Sequence, residues 1–137
     1  MTRRVFIGAA IMAAFATPAF ARDPVQIIDF KDQAILTTGG KTMTHALVRD
    51  AIIRAATSLG WALAPDGDQK FIGTLVVRNK HTVVVDISYA LDKYSVMYRS
   101  SINMKYDVIR GVPIIHPFYN DWARKLVDAI RVECVKS

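Results

Sequence analysis

Only one cysteine, Cys134, occurs in the 137 residues, so no disulfide can form within the chain and packing must hold the fold together. Cys134 falls at the end of an apolar helical stripe, the place of a small core residue rather than of a reactive thiol. Metal-ligand spacing is missing as well. His45, His81 and His116 stand far apart, and neither H-x-x-H nor C-x-x-C occurs, so no metal site and no cofactor is expected. His45 at a helix start and His81 at a hairpin turn both read as ordinary surface positions. The chain has no dense basic run, which argues against nucleic acid as a partner. Gly39-Gly40-Lys41 precedes a helix but lacks the rest of a phosphate-binding loop, and reads as a flexible turn. Internal repeats, low-complexity tracts and linkers are absent too, which leaves a single domain.

One apolar run exists, at the very start. Arg3 and Arg4 precede Val5 to Phe15, and Ala19-Phe20-Ala21 closes the segment. A basic start, an apolar stretch and an A-x-A end are the three parts of a secretory signal peptide, with cleavage between Ala21 and Arg22. The run is too short for a permanent anchor, which takes about 20 apolar residues. Thr2-Arg3-Arg4-Val5-Phe6-Ile7 also fits the twin-arginine pattern, so the export route stays open. A lipoprotein would carry Cys where Arg22 stands, so the mature chain is expected to be soluble, in the periplasm and without a transmembrane anchor. Loss of Arg3 and Arg4 lowers the formal net charge of +6 by two, leaving a mild positive balance that favours anionic envelope surfaces.

Residues 1–21 are thus a signal peptide, 22–42 an irregular segment with short strands at Val25–Phe30 and Ala34–Thr37, and 43–137 an α+β domain. Leu47, Ala51, Ala55 and Leu59, with Val48, Ile52 and Ala56 beside them, predict a helix over Thr44–Leu59. Thr42 or Thr44 suits its N-cap and Gly60 its left-handed end. Alternating and β-branched residues then predict strands at Trp61–Pro65, Phe71–Arg78, Thr82–Tyr89 and Tyr94–Ser100. Short connections between them make antiparallel neighbours. After an irregular loop from Ser101 to His116, Pro117 opens a second helix with Tyr119, Ala123, Val127, Ile130 and Cys134 as its buried stripe, and Asn120 among the residues facing water. The expected fold is a two-layer α-β4-α sandwich: a four-stranded antiparallel meander with two helices packed on one face.

Polar and aromatic groups crowd between the last strand and the last helix: Tyr98, Ser101, Asn103, Tyr106, His116, Tyr119 and Asn120 are the candidate binding residues. The stretches Gly60-Trp61, Tyr94-Ser95-Val96-Met97-Tyr98, Ser101-Ile102-Asn103-Met104-Lys105-Tyr106 and Ile115-His116-Pro117-Phe118-Tyr119-Asn120-Asp121-Trp122 resemble the signature of a family of small bacterial envelope proteins, many of them lipoproteins of unknown function. The resemblance covers most of the chain after Thr42 and implies export and an α+β domain, with no activity attached. This chain departs from its lipidated relatives in lacking the lipid-accepting cysteine.

Two readings fit the cluster. In one, Trp61, Tyr98 and Trp122 are core aromatics, while Asn103, His116 and Asn120 bind backbone groups and fix the loop. In the other, the loop and the start of the second helix form a groove for a sugar, a peptide backbone or an anionic head group. Ser100 or Ser101 with His116 and Asp86 or Asp107 supply the residue types of a hydrolytic triad, yet no G-x-S-x-G elbow surrounds either serine. The expected function is therefore a non-enzymatic accessory or binding module that meets an envelope component. A small periplasmic hydrolase using Ser101 and His116 is one alternative. A structural protein that self-associates through an open sheet edge is the other.

Overall fold

The computed structural model describes residues 22–137, so the expected signal peptide and its cleavage at Ala21 lie outside the described residues. Among the described residues two helices and eight strands make an α+β fold with two antiparallel sheets. In chain order the elements are β1 (Val25–Gln26), β2 (Phe30–Ala34), α1 (His45–Ser58), β3 (Ala62–Pro65), β4 (Lys70–Val77), β5 (His81–Tyr89), β6 (Lys93–Ile102), β7 (Asp107–Ile109), β8 (Val112–Ile115) and α2 (Phe118–Lys136).

Local chemistry sets the helix ends. Thr44 is the N-cap of α1, its hydroxyl accepting from the Leu47 amide at 3.1 Å. Gly60 follows the C-cap with φ +88°, a left-handed conformation in which any side chain is strained. Val48, Ala51, Ile52, Ala55 and Ala56 are buried. The alanines in that stripe keep it thin enough for α1 to approach its neighbours closely.

The expected four-stranded meander with two helices on one face needs correction. β3, β4, β5 and β6 do follow one another, but the sheet has five strands in the order β2-β6-β5-β4-β3. β2 enters the sheet through Phe30, paired with Val96 and buried, and Ala34, paired with Lys93. Asp32, with φ +51°, sits in the irregularity between Phe30 and Gln33 and makes β2 a kinked edge. The remaining strands form a second sheet, β1-β8-β7. The segment expected to be an irregular loop thus contains a hairpin, turned by Arg110 (φ +53°) and Gly111 (φ +79°) between Ile109 and Val112.

A single core joins the helices to the sheet. Val83, Val85 and Ile87 of β5 are fully buried, alternating with half-buried Thr82, Val84 and Asp86. Tyr94 of β6 is buried against α2 and donates its hydroxyl to the Val127 carbonyl at 2.6 Å. Arg54 of α1 ties the helices together at the surface, reaching Glu133 at 2.9 Å and Ser137 at 3.0 Å. No helix among the described residues is long and apolar enough to cross a membrane.

Candidate functional site

Four of the seven nominated residues meet. In a regular strand Tyr98 and Ser101, an odd number apart, would point to opposite faces. A bulge in β6 lets Val84 pair with Ser100 and Val85 with Tyr98, leaving Arg99 over. Tyr98 and Ser101 therefore share a face, and their hydroxyls lie 2.8 Å apart. The Tyr98 ring stacks on Tyr106 at 5.0 Å and meets Tyr119 edge-on at 5.4 Å. Burial raises the pKa of Tyr98 above the usual tyrosine value, against the opposing hydrogen bond from Ser101. Tyr119 is fully buried, and its hydroxyl has no hydrogen-bond partner among the described residues. Burial, with the nearby Asp29 carboxylate and Tyr98, pushes that hydroxyl far above the ordinary tyrosine range.

The other three fasten backbone. Asn103, in the left-handed region at φ +61°, donates to the Lys80 carbonyl at 3.0 Å. Its own carbonyl lies 2.8 Å from Nδ1 of His81, which must therefore carry a proton there. His81 is buried, and the expectation of a surface turn residue is corrected: it faces inward on β5 and anchors the end of β6. Asn120 is buried too, rather than facing water: its side-chain oxygen accepts from the Ile28 amide at 2.9 Å while its amide donates to the Gln26 carbonyl at 3.0 Å. One side chain thus clasps β1 from both directions.

His116 is fully buried, and its Nδ1 accepts from the Phe118 amide at 3.0 Å. An imidazole that accepts at Nδ1 is neutral and carries its proton at Nε2, so it offers a serine no lone pair. The other triad candidates are equally engaged. Asp86 forms an ion pair with Arg99 at 2.8 Å, and Asp107 accepts from the Val108 amide at 2.7 Å. No group of three or more His, Cys, Asp or Glu among the described residues is placed to hold a metal.

A concavity lies elsewhere. A cleft of about 290 Å³ opens between the end of β4 and the first turns of α2, lined by Val77, Arg78, Phe118, Asp121, Trp122 and Lys125. A second, of about 250 Å³, is lined by Leu59, Trp61, Leu75 and the same Val77, Trp122 and Lys125. The two meet along the Val77–Trp122–Lys125 line and make one groove. Ligand pockets usually run from about 300 to 1,000 Å³, a range that the two clefts reach only together. Phe118 links this groove to the nominated cluster, since its ring lies 4.6 Å from His116 and 5.9 Å from Trp122.

None of the seven nominated residues lines the groove. Sequence reasoning did single out Trp61 and Trp122, and a signal for more was present: Phe118, Trp122 and Lys125 recur at four- and three-residue steps, a strip beside the buried stripe of α2. Arg78 carried no such signal, because only the folded sheet brings the β4–β5 turn to that helix. Scanned against protein-family models, curated proteins and solved structures, the chain matches none.

Proposed function

We propose that this chain is an exported periplasmic protein of the bacterial envelope, a non-enzymatic binding module whose ligand lies in the groove around Trp122. The observation that carries this reading is the groove itself: two indoles, Trp61 and Trp122, on a wall flanked by aliphatic side chains and two cations. Aromatic walls with a few placed polar groups are the ordinary make-up of a small-molecule site. The signal-like first 21 residues support the address, as does the resemblance of Ile115 to Trp122 to small envelope proteins. The engaged Nδ1 of His116 speaks against hydrolysis through Ser101.

Self-association is the weaker alternative, because the sheet edges are blunted. β3 ends on Pro65, β2 carries a bulge, and the amide of Val108 on β7 is taken by Asp107. Native mass spectrometry of the protein isolated from an envelope fraction tests the binding reading. Wild type should carry a bound small molecule that Trp122→Leu loses while still unfolding in one cooperative transition. Identical adducts on both proteins, or none on either, would overturn it.

A further inference from the structure

The groove is polarised along its length, and that polarity points to a class of ligand. At one end stand Leu59, Trp61 and Leu75, an apolar floor in which Leu59 remains 38% exposed. At the other stand Arg78 and Asp121, with Lys125 and Trp122 on the seam that both clefts share. Neither Arg78 nor Lys125 is in an ion pair among the described residues, and Arg22 adds a third cation where its guanidinium lies 5.5 Å over the Phe118 ring. The one acid there, Asp121, stands in the first turn of α2, where a carboxylate complements the helix dipole. Cations thus outnumber acids at this end.

The backbone holds Arg78 at that end at some cost. Val77 to Lys80 form a tight turn closed by the Lys80 amide on the Val77 carbonyl at 3.1 Å, with φ +57° at Arg78 and +53° at Asn79. Left-handed central residues of this kind favour Gly, Asn or Asp, and an arginine is uncommon there. The turn thereby presents a long cationic side chain on the lip of the groove.

We infer that the groove takes an anionic amphiphile, its apolar tail lying on Leu59, Trp61 and Leu75 and its carboxylate or phosphate between Arg78 and Lys125. This deepens the binding reading above and rests on it. The site recognises negative charge joined to an aliphatic chain; a fatty-acid carboxylate and an alkyl phosphate share that chemistry.

Tryptophan fluorescence tests it directly, because both indoles line the apolar half of the groove. The probes are decanoate and decyl phosphate, with decanol as the uncharged and decyltrimethylammonium as the cationic control, all below micelle-forming concentrations and at low salt. Both anions should bind saturably, about tenfold tighter than decanol, and more weakly as salt is added. Whichever anion binds tighter distinguishes a carboxylate source from a phosphate source. Arg78→Asn and Lys125→Gln should each weaken anion binding about three- to fivefold, the size of an exposed ion pair, and leave decanol unchanged. Lys31→Gln, which removes the same charge away from the groove, should change nothing. Asparagine suits the turn, so loss of binding in Arg78→Asn cannot be put down to misfolding. Equal affinity for decanol and the anions, or equal weakening by Lys31→Gln, overturns the inference while leaving the groove a binding site. No saturable change with any probe also overturns it, and the binding reading then stands or falls on the bound-molecule experiment.

Discussion

Tyr119 and Asn120, adjacent at the start of α2, show how differently two polar side chains can be used. The Tyr119 hydroxyl is buried without a partner among the described residues, so its desolvation is not offset by a hydrogen bond. Tyr119→Phe should therefore raise stability, by about 1 kcal/mol, in a denaturant titration. Asn120 uses both ends of its amide on β1, and Asn120→Ala would orphan the Ile28 amide and the Gln26 carbonyl. A loss of about 1–3 kcal/mol is expected in the same titration. These residues were legible as a polar-aromatic cluster, because Tyr, Asn and His rarely crowd without a purpose. Their division of labour was not, since it depends on which hydroxyl finds a partner once the chain is folded. Likewise His81 lies on an alternating strand among buried aliphatic neighbours, and its bond to the Asn103 carbonyl is a contact 22 residues away.

Periodicity carried the elements that have one wet and one buried face. Both helices were readable, α1 to within a residue at its N-cap, because alanine and branched aliphatics repeat at helical spacing between Thr44 and Gly60. β7 and β8 escaped, since all three residues of β7 are exposed and leave no alternation to read, and β2 escaped its true bounds because its bulge at Asp32 breaks the period. The contact between the helices makes a prediction about acid. Hydrogen bonds from Arg54 and Lys136 lower the Glu133 pKa below its ordinary 4.5. A carboxylate held low in the folded state stabilises at pH values above that ordinary range, and the contribution disappears as pH falls through the lowered value. Glu133→Gln should accordingly flatten the fall in melting temperature between pH 5 and the acid limit, while wild type keeps the steeper slope.

At the scale of the molecule, a second sheet and a fifth strand wrap the expected meander, and both recruit residues from the segment between Arg22 and Thr42. That segment lacks helical or alternating pattern, so its place was set by partners: Ile115 for Val25, Val96 for Phe30 and Asn120 for the backbone between them. The proposed address predicts that the native protein recovered from a periplasmic fraction begins at Arg22; recovery from the cytosol with Met1 in place would remove the envelope role. The groove could not be read from the chain, because its walls come from the end of α1, the end of β4 with its turn into β5, and the start of α2, joined only by folding. The most direct test of whether that groove is the binding site is a ¹⁵N spectrum of the protein titrated with the small-molecule fraction of an envelope extract. The Trp122 indole signal and the Arg78 and Lys125 amides should shift together and saturate, with Tyr98 and Tyr106 unmoved. Shifts confined to the tyrosine cluster, or none at all, would contradict it.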